Sequence, residues 1–76
     1  MEKKYQIRLK ATSEVQDFVS AAEKCDFDID VFYNRVIIDA KSILGVLSLD
    51  LNNVLTVQFG GQNTEFENVL KKYVVA

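Results

Sequence analysis

Hydrophobic and polar residues alternate along this chain with two different periods. Tyr5, Ile7 and Leu9 alternate with Gln6, Arg8 and Lys10, so residues 4 to 10 read as a strand with one buried face. The period then lengthens. Val15, Phe18, Val19 and Ala22 recur at helical spacing, which predicts a helix over residues 13 to 25. Ser13-Glu14-Val15-Gln16 has the form of a capping box that would start it, and Cys25 at its end reads as a small buried hydrophobe. Period two returns where Phe27, Ile29, Val31 and Tyr33 alternate with Asp28, Asp30 and Phe32. It continues where Val36 and Ile38 alternate with Ile37 and Asp39. A turn at Asn34-Arg35 would set Tyr33 opposite Val36, Phe32 opposite Ile37 and Val31 opposite Ile38. Inward-facing residues then meet inward-facing ones.

A short apolar helix from about Ser42 to Ser48 follows, then a turn at Asn52-Asn53. Leu55, Val57 and Phe59 mark a fourth strand, which Gly60-Gly61 ends. Thr64-Glu65-Phe66-Glu67 is a second capping box, and Phe66, Val69, Leu70 and Tyr73 form one face of a last helix. Lys71 and Lys72 suit the negative pole of that helix. The order is β-α-β-β-α-β-α over a single domain, residues 1–76. An α+β sandwich, with an antiparallel sheet and helices on one face, satisfies it.

Composition narrows the chemistry. There is no histidine, and net charge is −2. The usual general base and commonest metal ligand are therefore missing, and a Ser-His or Cys-His nucleophilic pair is impossible within the chain. No complete nucleophile–base–oxyanion set can be assembled from Lys41, Ser42 and the nearby carboxylates, so the sequence points away from an enzyme and implies no cofactor. The acidic balance argues against a nucleic-acid partner, and no apolar run approaches the ~20 residues of a membrane span. No signal peptide is recognisable, and a single cysteine without a disulfide partner suits a reducing cytoplasm. Asp26, Asp28 and Asp30 imitate the start of an EF-hand, but Val31 and Ile37 stand where that loop needs Gly and Glu. Asp30 and Asp39 instead share the sheet's outer face with the apolar pair Phe32 and Ile37. That pair reads as cross-strand packing or as a homodimer contact.

The stretch Ala40–Leu51, "AKSILGVLSLDL", carries the strongest functional hint. Ser42 stands where an N-cap should stand. The segment behind it is apolar on nearly all sides: Leu44, Leu47 and Leu51 lie along one side, while Ile43 and Val46 point partly away from it. A two-layer domain of this size cannot bury both sides of a two-turn helix. Part of the Ile43–Leu47 surface is therefore expected to be exposed beside Ser42, and such a patch marks a partner site. A phosphate on Ser42 would add about −1.5 to −2 charges there.

"AKSILGVLSL" resembles the regulatory segment of the histidine-containing phosphocarrier proteins (HPr) of the bacterial sugar phosphotransferase system. The likeness extends more loosely through "FDIDVFY" and "VQFGGQNTEFENVL". It implies an open-faced β-sandwich with sheet order 1-4-2-3 and matches Ser42 to the serine phosphorylated by the ATP-dependent HPr kinase. Ile43 and Leu47 match the family's docking patch, and Lys41 and Leu44 flank it. The implied role is carbon catabolite regulation, with the HPr kinase, a sugar-responsive transcription regulator or other phosphotransferase-system proteins as partners, acting as a monomer or weak homodimer. The family's Gly-x-His-x-Arg-Pro motif is absent. "KATSEVQD" stands in its place, without the His that carries the phosphoryl group, so the chain resembles a divergent regulator more than a phosphocarrier. A small-molecule-sensing domain of the ferredoxin-like or ACT type shares the element order, but its sheet runs 4-1-3-2. A phosphocarrier working by a non-standard route is a further alternative.

Overall fold

A computed structural model describes residues 2–75. Its elements are β1 (Lys3–Ile7), α1 (Thr12–Glu23), β2 (Ile29–Tyr33), β3 (Val36–Asp39), α2 (Ile43–Leu47), β4 (Leu55–Phe59) and α3 (Thr64–Tyr73). All strand pairings are antiparallel, in the order β1-β4-β2-β3. That order is the one expected for an open-faced sandwich, and it removes the ferredoxin-like alternative.

The sheet forms because period-two alternation gives it one apolar face. Ile7, Ile29, Val31, Leu55, Val57 and Phe59 are buried on that face, and Val15, Phe18, Val19, Ala22, Phe66 and Leu70 of α1 and α3 cover it. Phe59 sits in the middle, stacked on Tyr5 and Phe27 and edge-on to Phe66. The β2–β3 hairpin has the expected register, and Asn34 takes the positive φ, 54°, that its two-residue turn demands.

Several boundaries differ from the sequence reading. Regular strand ends at Ile7, although Leu9 beyond it is fully buried. Phe27 and Asp28 precede β2 rather than belonging to it, and Phe27 is half-buried against Phe59. Ser13 does not cap α1. Ala11 occupies the N-cap without a side-chain bond, and the Glu14 carboxylate reaches back to the Lys10 amide at 2.7 Å. Asn63 rather than Thr64 caps α3, accepting from the Phe66 amide at 2.9 Å. Beyond α3 the chain returns to β1, where the Arg8 amide donates to Tyr73 and the Val75 amide to Gln6. These bonds cover the C-terminal end of the outer edge of β1, which would otherwise offer free pairing groups.

Two clasps join distant parts of the chain. Glu67 accepts from Lys3 at 3.2 Å and Tyr5 at 3.3 Å, and chiefly the lysine holds its carboxyl below the ordinary value. Asp17 of α1 accepts from Lys72 at 2.7 Å and from the Tyr73 hydroxyl at 2.6 Å. These partners, Lys72 first, lower the Asp17 carboxyl. Burial and the Asp17 carboxylate push Tyr73 up to about 12. A tyrosine with a raised value stabilises the fold below its unfolded value near 10 and loses that contribution as pH climbs towards 12. Asp17 has the opposite sign: its contribution is present above its unfolded value and is lost on acidification through the lowered folded one. A phenolate absorbance titration should therefore show one tyrosine ionising near pH 12. Tyr73→Phe should delete that step, and Asp17→Asn should move it down.

Candidate functional site

The approach to α2 is held by short-range bonds. The Ala40 amide donates to Ile29, the Asp39 carboxylate accepts from the Lys41 amide at 2.9 Å, and the Ser42 amide donates to the Asp39 carbonyl. This Asx turn swings the chain out of β3 and leaves Ser42 with extended backbone, as an N-cap requires. The Ser42 hydroxyl accepts from the Gly45 amide at 3.1 Å, and its carbonyl accepts from Val46. At the other end Ser48 closes the helix, its hydroxyl donating to the Gly45 carbonyl at 2.6 Å.

A helix this apolar does not reveal from sequence which side faces inward, and tertiary contact decides it. Val46 is fully buried and Leu49 nearly so, anchoring α2 to the core, while Ile43 is half-buried. Gly45 lets the helix approach β3 closely, since a Cβ there would stand 2.7 Å from Ile38 Cγ2. What remains outside is a stripe of two leucines. Leu44 is 79% exposed and Leu47 38%, three residues apart on one side, with the exposed Ser42 hydroxyl at the head of the helix. The expected exposed patch is present. It is centred on Leu44 and Leu47, with Ile43 at its inner margin.

Lys41 lies beside Ser42 in sequence but is engaged elsewhere. Its ammonium donates to the Cys25 carbonyl at 2.9 Å, strapping the β3–α2 turn to the end of α1. Cys25 itself is buried, and that burial raises its thiol above the ordinary value, as for an inert core cysteine. Sequence reading had no signal for the Lys41 strap, because a lysine before a serine looks the same whether free or tethered.

At the start of α1, where the resemblance would place a phosphoryl-bearing histidine, the Ala11 cap has no side-chain bond and the Glu14 carboxylate sits on the Lys10 amide. An anion arriving there would meet a carboxylate. Among the described residues no group of three His, Cys, Asp or Glu side chains is placed to hold a metal ion. No helix of the described residues is long and apolar enough to cross a membrane.

No protein-family model matches the sequence, and no curated protein matches it. Among solved structures, the crystal structure of a phosphocarrier protein HPr from Bacillus anthracis str. Ames superposes with a TM-score of 0.70. The match covers 96% of this chain and 95% of that one, at 23% sequence identity. The chain has the HPr fold. Within that fold the exposed stripe and Ser42 lie on the second helix, between β3 and β4. This greasy segment is tolerated at the surface because one side is anchored by Val46 and Leu49 and only the other is left over.

Proposed function

We propose that this chain is a divergent, HPr-like regulatory module of a bacterial, cytoplasmic sugar phosphotransferase system. It docks proteins through α2, is switched by phosphorylation of Ser42, and is neither an enzyme nor a carrier of phosphohistidine. Of Lys41, Ser42, Ile43, Leu44 and Leu47, the serine and the two leucines form the exposed surface concerned, with Ile43 at its inner margin and Lys41 strapped to Cys25 behind it. The observation that carries this reading is the exposed leucine stripe directly beside a surface hydroxyl. A docking partner would desolvate both leucines, worth about 1.5–3 kcal/mol for a fully covered side chain.

A phosphate on Ser42 would bring roughly −1.5 to −2 charges to the rim of that patch, next to the amides of the first turn. Those amides, more than a macrodipole, would receive it, because α2 has only five residues. A partner with an acidic rim would be repelled, and one presenting arginine would be recruited. Candidate partners are the HPr kinase, a sugar-responsive transcription regulator and other phosphotransferase-system proteins. The missing histidine and the carboxylate of Glu14 disfavour the phosphocarrier alternative. A serine phosphate ester is too stable to relay its phosphate onward.

Incubation with HPr kinase and ATP, read by intact mass, should add one phosphate. Ser42→Ala should abolish uptake and cost about 1 kcal/mol of stability through the lost cap, whereas Ser42→Thr should keep most of the cap. No uptake, or uptake undiminished in Ser42→Ala, would remove the switch. Label transferred from Enzyme I and phosphoenolpyruvate would revive the carrier alternative.

A further inference from the structure

Between the β1–α1 connection and the end of α3 lies a cleft of about 210 Å³. The connection contributes Arg8, Lys10 and Glu14, and the chain end contributes Tyr73, Val74 and Val75. It shares no residue with the leucine stripe of α2. Two backbone bonds fix its walls: the Arg8 amide donates to the Tyr73 carbonyl at 3.0 Å and the Val75 amide to the Gln6 carbonyl at 2.9 Å. The cleft is thus built by the return of the chain to β1.

Its cations are largely unused. Lys72 also lines it, but that ammonium is taken by Asp17 at 2.7 Å. Among the described residues neither Arg8 nor Lys10 has an ion-pair partner, and the Arg8 Nε is buried without a hydrogen bond. A buried donor left unpaired is destabilising, more so on a charged group, and native structures seldom tolerate one without a reason.

We infer that this cleft binds the anion of a small carboxylic acid with a short aliphatic tail. The guanidinium fork matches a carboxylate bidentately, and turned outward it presents Nε and a terminal nitrogen together. Charge sets the valence. With Lys72 neutralised by Asp17, Arg8 and Lys10 stand against the Glu14 carboxylate, which leaves one positive charge in excess. A monoanion balances that excess, whereas a phosphate dianion would also face Glu14, held in place on the Lys10 amide at 2.7 Å. The Tyr73 ring, Val75 and the 42% exposed Val74 offer an apolar wall for the tail. The volume is below the ~300–1,000 Å³ of sites for drug-sized ligands, so the occupant has only a few heavy atoms. Neither a histidine nor phosphoryl transfer is required of this site.

Titration of the full chain with sodium butyrate, followed by amide proton–nitrogen shifts, tests this. Saturable shifts are expected at the Arg8, Lys10, Val74 and Val75 amides, with a Kd on the order of millimolar. Butyramide, of nearly the same shape without the charge, should bind roughly tenfold more weakly, and so should butyrate to Arg8→Gln or Lys10→Gln. Lys10 is exposed, so the second variant decides the matter if the first does not fold. Glu14→Gln keeps an acceptor for the Lys10 amide and should strengthen the binding of inorganic phosphate. Shifts that do not saturate, that sodium chloride reproduces, or that persist undiminished in Lys10→Gln would overturn the inference. So would inorganic phosphate binding the unaltered chain more tightly than butyrate. None of these results bears on Ser42, whose phosphorylation is read by mass.

Discussion

Phe59→Ala should cost about 3–5 kcal/mol, the largest loss expected of any single side-chain truncation in this domain. The residue is 1% exposed and sits on β4, paired with Lys3 of β1 on one side and Ile29 of β2 on the other. Its ring stacks on Tyr5 at 5.9 Å and Phe27 at 5.8 Å, and meets Phe66 of α3 edge-on at 5.2 Å. The Lys3 ammonium lies 5.6 Å from the ring centroid. Truncation would remove the side chain common to both halves of the sheet and α3, leaving a cavity bordered by rings too rigid to collapse into it. A chain of 76 residues is held by only about 4–11 kcal/mol in total. The variant should therefore unfold at a much lower urea midpoint, or be largely unfolded without urea. Leu44→Ala is the contrast: at 79% exposure it should change stability by no more than about 0.5 kcal/mol. A Phe59→Ala loss below about 1.5 kcal/mol would mean that the ring cluster contributes little beyond its buried area. A large Leu44→Ala loss would mean that the leucine stripe is structural rather than a surface left for a partner.

The elements were legible where period and turn chemistry agreed. The β2–β3 register followed from pairing inward with inward residues, and Asn34 adopts the positive φ that this turn requires. The caps were less legible because several residues near each helix start could serve. Asn63 precedes Thr64 and is the stronger cap of the two, so it wins. At α1 the Glu14–Lys10 bond lets the helix begin ahead of Ser13. Periodicity alone allowed two sheet orders, 1-4-2-3 and 4-1-3-2, and only the family resemblance chose between them. The Asp17–Lys72–Tyr73 clasp joins residues more than fifty positions apart and leaves no local trace in the sequence. At the site, an exposed patch beside Ser42 followed from counting apolar sides against available layers. Which leucines form it did not, because α2 is apolar nearly all round and its orientation is set by Val46, Leu49 and the close approach of Gly45 to Ile38.

Gly61→Ala should also destabilise the fold, for the opposite physical reason. A Cβ at Gly61 would run into Cδ2 and Cγ of Phe27, inside the ring itself. Its φ lies outside the left-handed region, so the backbone would accept alanine and the conflict is one of space. The Phe27 ring cannot yield freely, because it is stacked on Phe59 at 5.8 Å with the planes 17° apart. Moving it gives up that stacking and part of its burial, so the expected loss is about 1–3 kcal/mol, the range for overpacking. A double-mutant cycle separates this cause from a general effect on the β4–α3 turn. In a Phe27→Ala background the clash is gone, and Gly61→Ala should then be neutral or slightly stabilising through the unfolded chain. Equal losses in both backgrounds would show that the glycine serves the turn backbone and not the ring. A loss confined to the chain that keeps Phe27 would make Gly61 the gap that lets the residues ahead of β2 close over the aromatic cluster.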